Sequence, residues 1–571
     1  MPSPDRIAIE AHANCDDAYV VWRYPEAIPE CRGFALYRKP KGGDAEPVHT
    51  FIPFAGKDGE PGEDRKSGEH KPSTEWPIQK FGWTDVLARS GETVSYRVVP
   101  MVGKAGSLTE ATDQASPWTD PIDVTADAGD GLTAYFNRGV LATQSVARRL
   151  KGDEPWTKRL KTMIATPGNI TREYLSGELR LAMRKVLADV KASSGAALYA
   201  ALFELNDPEL VADLCALGAR AHVILANGDE AKGDENEEAR GTLEAAGVDV
   251  HKRMTGSRLA HNKFLVVCEP EAAPKLTWTG STNWTMTGLC TQVNNGLLIE
   301  SADVAGYYKA EWDALLEAGD EFPPNLVDGN DSARSAPLGK GSVGTWFAPV
   351  HKEVDLAAAR ELIAGAEQGI LFEFFNPGRK ETLFNAIMDR VAVDEGDGGD
   401  SLYVHGVLNQ DPEAGSKDPA LVGLIHRGQL DEADPDIVLP SKVDTRFAAW
   451  EKEIDRLSLV MIHSKVVILD PFGRKPVVMT GSHNLGPRAS SKNDDNLNLI
   501  AGVPRLAAAY ATHIISVYNA YRWRYVRSQA AKDAGKAWEG PEDGDAWQDA
   551  YYTGPDAAAK QRELSFWLGD G

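Results

Sequence analysis

Two textures of hydrophobic patterning divide the chain. Over the first 127 residues, short segments alternate apolar and polar positions. Ile7-Ala8-Ile9, Tyr19-Val20-Val21-Trp22, Gly33-Phe34-Ala35-Leu36-Tyr37 and Val94-Ser95-Tyr96-Arg97-Val98-Val99 are the clearest. Turn-rich stretches such as Gly56 to Gly68 separate them. Successive side chains of a strand point to opposite faces, so this pattern predicts an antiparallel β-sandwich. Further on, the apolar runs lengthen: Ala197 to Phe203, Phe264 to Val267, Gly369 to Phe375 with Glu373 as its one charged position, and Val466 to Leu469. The unbroken runs Phe264 to Val267 and Val466 to Leu469 read as strands buried on both faces. Helices are expected from about Glu209 to Leu217 and near Glu381 to Val391. Each is followed by a further strand, Ala221 to Leu225 and Leu402 to Leu408. Strands alternating with helices predict an α/β fold with a mixed sheet in each half. The order of elements occurs twice. The expectation is therefore two α/β sandwich halves related by a pseudo-two-fold axis, preceded by an all-β sandwich.

A length of 571 residues suits about three domains with ample core. The patterning places the front sandwich at 1–127, the first half at 131–325, a linker at 326–345, the second half at 346–528 and an acidic, Trp-bearing tail at 529–571. Lys and Arg total 61 against 84 Asp and Glu, a net charge of -23. That disfavours sequence-independent nucleic-acid binding, which rests on neutralising phosphates. Five cysteines, Cys15, Cys31, Cys215, Cys268 and Cys290, make no disulfide framework and suit a reducing compartment. The first residues lack a basic segment followed by an apolar run, and no stretch of about 18 apolar residues exists. A cytoplasmic location is expected.

The chemistry is carried by a doubled motif. His261-Asn262-Lys263 precedes Gly280-Ser281-Thr282-Asn283, and His463-Ser464-Lys465 precedes Gly481-Ser482-His483-Asn484. His to Asn spans 22 positions in the first copy and 21 in the second. In a strand, residues i and i+2 face one side, so each His and its Lys point together. A phosphodiester is anionic and resists attack. Lys263 and Lys465 would supply positive charge, and Asn283 and Asn484 amide donors, to its non-bridging oxygens. One neutral imidazole can attack phosphorus while the other protonates the leaving oxygen. A lone histidine on an apolar strand is usually a core residue, and a lone Gly-Ser-x-Asn usually a turn. Duplication at near-equal spacing argues against both. The chain has no HExxH or CxxC, so metal-independent chemistry without a cofactor is expected.

This arrangement resembles the phospholipase D superfamily, whose pattern HxKxxxxD followed by GSxN occurs twice. The resemblance covers roughly residues 130 to 525. The second copy matches throughout, including Asp470; in the first, Cys268 stands where Asp is expected, with Glu269 next. The resemblance implies that His261, Lys263, Asn283, His463, Lys465, Asp470 and Asn484 are catalytic, with Asp470 in support of the others. It implies a polar cluster after each GSxN, here Asn294-Asn295 and Asp495-Asn496, and places Ser281, Ser482, Asn295 and Asn496 around the substrate. His261 is taken as nucleophile and His463 as general acid, with the reverse assignment as the alternative. In the front domain, Trp22 and the Thr93 to Val98 strand resemble a fibronectin type III domain.

The implied activity is a phosphodiesterase acting on a phospholipid, by hydrolysis or transfer, with transient contact at a membrane surface. A nuclease of the same superfamily and a non-catalytic phosphate-binding scaffold are the alternatives. Weaker features carry less. Gly339 to Gly344 lacks the order of a phosphate loop and reads as linker. Asp394 to Asp400 reads as a solvated turn, and Tyr518 to Arg527 as a closing helix with snorkelling arginines. His483 reads either as a group titrating near the site or as one facing solvent.

Overall fold

The computed structural model describes residues 6–51, 70–104, 106–139, 155–228, 233–396, 402–409, 423–426, 461–532 and 544–570. Two compact units divide the chain. One comprises Met1–Ala126 with Ala511–Gly571, and the other Asp127–Ser441 with Arg446–Tyr510.

The first unit is all-β at its front. Ala8–Ala13, Ala18–Arg23 and Gly82–Asp85 form one antiparallel sheet. Ile122–Asp123, Thr93–Lys104, Cys31–Pro40 and Glu46–Pro47 form another. The alternation along these strands puts Trp22, Phe34 and Tyr96 in the interior, where Trp22 meets Phe34 edge-on at 5.5 Å. The acidic tail belongs to this unit. Helix Ala557–Trp567 delivers Trp567, fully buried, against Tyr19 at 4.8 Å. Trp547 Nε1 donates to the Cys31 carbonyl at 3.0 Å, and Arg23 pairs with Asp570 at 2.6 Å.

The second unit holds two sheets with one plan. In the first, strand order is Asp127–Gly129, Leu132–Phe136, Asn295–Ile299, Pro274–Gly280, Lys263–Cys268, Ala197–Leu202, Ala221–Ala226, Asp249–Arg253. In the second it is Arg334–Leu338, Gly341–Ala348, Asn493–Ala501, Val477–Gly481, Val466–Leu469, Gly369–Phe374, Tyr403–Leu408, Gly423–His426. Both are mixed: Ala197–Leu202 runs parallel to Ala221–Ala226 and antiparallel to Lys263–Cys268, and Gly369–Phe374 repeats that choice. The continuous apolar runs occupy the middle of each sheet because helices cover them. Ile170–Ala192 packs on the first and Val354–Ala364 on the second. Residues 326–345, expected as linker, instead hold helix Pro324–Asn330 and the hairpin of Arg334–Leu338 with Gly341–Ala348. Pairing of the Gly-rich strand on both edges overrides its flexible composition. Asp394 to Gly396 end helix Leu383–Gly396, and the rest of that acidic segment lies outside the described residues. Tyr518 to Arg527 fall within helix Pro504–Lys532.

Two short parallel ladders stitch the halves together. Leu259–Ala260 pairs with Asn493–Asp494, and Gln292–Val293 with Met461–Ile462. Each joins the residues just before one half's histidine to those just before the other half's polar cluster. The swap is symmetric, and it brings the two motifs to one seam. Among the described residues, no helix is long and apolar enough to cross a membrane.

Candidate active site

The seam sets both histidines by backbone before side chains are considered. The His261 N–H donates to the Asp494 carbonyl at 3.0 Å, and the His463 N–H to the Val293 carbonyl at 2.9 Å. Each imidazole then reaches across to the other half. His261 Nδ1 donates to Asp495 Oδ1 at 2.8 Å, and His463 Nδ1 donates to Asn294 Oδ1 at 3.0 Å. Asp495 and Asn294 are equivalent positions in the two copies, so the partners match in place and differ in charge. In both cases Nδ1 is engaged, and Nε2 is the nitrogen left for chemistry.

Behind these partners stand the motif serines. Ser482 Oγ donates to Asp495 at 2.6 Å and Ser281 Oγ to Asn294 at 2.7 Å. Asn294 Nδ2 donates to the Gly288 carbonyl at 2.9 Å, which turns its Oδ1 toward His463. The serines thus orient the histidines' partners. Asn295 and Asn496 take part in the same network. Asn295 Nδ2 donates to Thr480 Oγ1 at 3.0 Å and to Tyr510 Oη at 2.9 Å. Asn496 Nδ2 donates to Asn262 Oδ1 at 2.9 Å. Both are fully buried and lock the seam.

Lys263 and Lys465 donate to the carbonyls of His261 and His463. Each also lies over a phenylalanine: Lys263 is 4.9 Å from the Phe203 ring centroid and Lys465 4.6 Å from that of Phe375. The same rings pack on the histidines, Phe203 on His261 at 4.9 Å and Phe375 on His463 at 4.6 Å. These aromatic backings escape a reading of spacing, because they arrive from the neighbouring strand of each sheet.

Asn283 Nδ2 donates to Glu204 Oε2 at 2.7 Å, an acidic contact that the motif does not announce. Asn484 is half-buried, and its Oδ1 finds no hydrogen-bond partner among the described residues. His483 is fully buried, which corrects the expectation that it faces solvent. Its Nδ1 accepts from the Leu485 N–H at 2.9 Å, and its Nε2 faces Ser490 at 3.2 Å and Asp355 at 3.1 Å. It braces the loop that carries Asn484.

Asp470 stands apart from His463. It follows strand Val466–Leu469 at the end away from His463, roughly 22–24 Å along the chain at strand spacing. Its carboxylate accepts from the backbone N–H groups of Glu367, Gln368 and Gly369, at 2.7 to 3.2 Å. It therefore anchors the entry of strand Gly369–Phe374, a structural task. Cys268 sits at the matching strand end, fully buried, with its thiol pushed up to about 11 by burial.

Burial dominates the electrostatics. It pushes His261 down to about 4, aided by the charge on Lys263 and opposed by Asp495. Burial also holds His463 well below its ordinary value, with Lys465 and Lys263 adding to it. Lys263 is lowered to about 7 by burial, against the pull of Asp495 and Glu204. Burial alone would raise Asp495, but the imidazole of His261 keeps it far below the usual carboxylate range. A charge-poor environment thus surrounds two neutral imidazoles, two lysines and one firmly ionised carboxylate.

Residues 191–316, which include the first motif, match the family described as "Cardiolipin synthase, PLD-like domain". Solved structures similar to the chain include phosphatidylserine synthase from Haemophilus influenzae Rd KW20, at 12% identity over 69% of this chain and 94% of that one, TM-score 0.40. Polyphosphate kinase from Porphyromonas gingivalis aligns at 10% identity over 59% of this chain, TM-score 0.36, and the chain spans about half, 47%, of that enzyme. The phospholipase D family member Nuc from Salmonella typhimurium aligns at 16% identity over 24% of this chain and 90% of its own, TM-score 0.21. No curated protein matches the sequence. The matched segment ends before the second motif, whose sheet repeats the strand order of the first.

Proposed function

We propose that the chain is a phosphodiesterase of phospholipase D type that works through a phosphohistidine on His261. The observation that carries this reading is the unlike pair of imidazole partners. A carboxylate on Nδ1 makes the ring a better nucleophile and stabilises the positive charge it gains on attack. An amide oxygen fixes the same tautomer without adding charge, which leaves a protonated His463 the more willing donor. His261 Nε2 would attack phosphorus, the bond to the leaving oxygen would break, and His463 Nε2 would give that oxygen its proton. Water or an alcohol would then lose a proton to His463 and displace His261. The phosphodiester's negative charge, arriving beside His463, raises that ring's affinity for the proton it must donate. Lys263, Lys465, Asn283 and Asn484 would hold the non-bridging oxygens.

A phospholipid is the favoured substrate. The family matched by the first half is described as a cardiolipin synthase type, and the net charge of -23 disfavours sequence-independent nucleic-acid binding. The front sandwich, with Trp22 and Tyr96 in its core, fits a fibronectin type III-like module. Head-group release from phosphatidylcholine and phosphatidylethanolamine micelles in excess EDTA tests the assignment, with His463→Ala as control. Release that persists in EDTA and disappears in the variant is expected. Cleavage of single-stranded DNA alone would assign a nuclease instead. Phosphate binding without turnover of any diester would leave a scaffold.

A further inference from the structure

The unlike partners of the two histidines make unlike demands. A carboxylate accepts through either oxygen, so Asp495 meets His261 Nδ1 whichever way its side chain is turned. A carboxamide has one accepting end and one donating end. Asn294 serves His463 only with its oxygen forward. Ser281 Oγ favours that sense by donating to Oδ1 at 2.7 Å, and the Gly288 carbonyl favours it by taking Nδ2 at 2.9 Å. Gly288 lies in a single helical turn, Met286–Cys290, too short to satisfy its own last carbonyls.

Asn137 supplies what that turn lacks. It follows strand Leu132–Phe136 and is 2% exposed. Its Nδ2 donates to the carbonyls of Gly288, Leu289 and Gln292 at 3.2, 2.8 and 2.6 Å, and its Oδ1 accepts from the Asn294 N–H at 2.8 Å. One side chain thus fixes the carbonyl that takes the donating end of Asn294 and the main chain from which Asn294 springs. Gln292 in turn precedes Val293, whose carbonyl takes the His463 N–H at 2.9 Å. Both acceptors of His463 therefore rest on Asn137. Register gives the matching position in the second half: Phe136 pairs with Asn295 and Phe347 with Asn496, so Asn137 corresponds to Ala348. Alanine has no group to donate, and there Asp495 is met directly by Ser482 Oγ at 2.6 Å and Asn493 Nδ2 at 3.0 Å. The brace stands where the partner has two unlike ends and is missing where the ends are alike.

We propose that Asn137 is a positioning residue for proton transfer, holding His463 through Asn294 in the form that can carry a proton on both ring nitrogens. The inference rests on the phosphodiesterase reading, in which His463 Nε2 gives a proton to the leaving oxygen. With the amide oxygen against Nδ1, the neutral ring keeps its hydrogen there, and Nε2 is left to take and give a proton. With the amide nitrogen turned inward, Nδ1 would have to accept, and the ring's hydrogen would move to Nε2. A second proton on Nδ1 would then face a donor, so the ring would be a poor general acid. Loss of Asn137 releases the Gly288 carbonyl and the Asn294 main chain, and the sense of the amide is no longer imposed. Attack by His261, held by the symmetric carboxylate of Asp495, makes no such demand.

Leaving groups separate this role from a structural one. 4-Nitrophenolate departs without a proton, whereas phenolate gains from one. In the full-length Asn137→Ala variant, the first 4-nitrophenolate from bis(4-nitrophenyl) phosphate should be released at an unchanged rate, read as a rapid-mixing burst. Cleavage of diphenyl phosphate should fall about tenfold or more, a part of the roughly 10²–10⁴-fold that general acid catalysis contributes. Asn137→Ser keeps one donor and one acceptor. It should recover part of the loss, and it reads the same comparison if the alanine variant does not fold. Magnetic resonance of protein carrying isotopically labelled histidine reads the ring directly, with His463 identified by the signals that vanish in His463→Gln. Hydrogen on Nδ1 is expected in the unaltered protein, with a shift toward Nε2 in Asn137→Ala. Equal losses on both diesters, or one unchanged tautomer, would overturn the proposal. Failure of the unaltered protein to cleave either diester would sink the phosphodiesterase reading, and the tautomer alone would then decide what Asn137 does.

Discussion

His261 and His463 are chemically alike and differ only in what holds them. Asp495 puts a buried negative charge on one ring and Asn294 puts a neutral dipole on the other. Asp495→Asn should therefore make the two sides equivalent in charge and lower kcat by about 10²–10⁴-fold, the scale for a carboxylate that orients a catalytic imidazole. The pH profile follows from the same groups. Attack needs neutral His261, so kcat/KM should rise as pH increases through about 4. Donation needs protonated His463, which burial holds well below its ordinary value, so kcat/KM should already fall at a pH below the ordinary imidazole range, and loss of charge on Lys263 through about 7 should steepen the fall. Because Asp495 favours the proton on His261, its removal should move the acidic limb to lower pH. Stopped assays across pH 3–9 would read both limbs. The histidines, lysines and motif asparagines are legible in sequence because they recur at fixed spacing. Their partners are not. Asn294 and Asp495 adjoin the residues that the motif points to, and a one-residue step along a strand reverses the face. Phe203 and Glu204 lie some sixty residues upstream and reach the site through sheet pairing.

At the level of elements, Asp470 shows how a motif residue can serve the scaffold. It takes three successive backbone N–H groups at the start of strand Gly369–Phe374, which lies beside the strand carrying Lys465. Asp470→Asn keeps a residue type that tolerates its left-handed backbone, φ 47°, and removes the charge. Stability should fall by about 1.5–3 kcal/mol, the range for a charge-assisted hydrogen bond, while kcat stays within a few-fold. Chemical unfolding alongside kinetics on the same preparation would check both halves of that expectation. It also explains why Cys268 is tolerated in the first copy, since the carboxylate there would serve a turn. The seam is held by the ionic fork of Arg253, whose Nε and Nη2 reach Asp494 at 2.6 and 3.0 Å. Alternating strands and helices were readable from periodicity. The hairpin of Arg334–Leu338 with Gly341–Ala348 was not, because Gly-rich composition describes a chain without neighbours and Gly341–Ala348 has two.

For the molecule as a whole, duplication was the most legible fact, since one buried strand pattern occurs twice and the two sheets share their order. What remained hidden was the tail, whose acidic composition masks a few large apolar anchors. Trp567→Ala should cost the first unit about 3–5 kcal/mol, as for other buried aromatics cut to alanine. The loss should appear as faster proteolysis within the front strands, with phosphodiester turnover as the reference for the second unit.

The packing of Trp547 and Trp567 on strands near the start of the chain also bears on synthesis. A ribosome finishes the front sandwich's strands more than four hundred residues before it makes the helix that covers them. Until then Tyr19, Phe34 and Phe81 lack their aromatic partners from the tail. The two α/β halves are translated in that interval and can fold within it. A chain that stops short of residue 545 would carry a complete pair of motifs beside an uncovered apolar surface, which quality control can recognise. The closing helix thus makes completion of the front domain a record that the intervening message was read through.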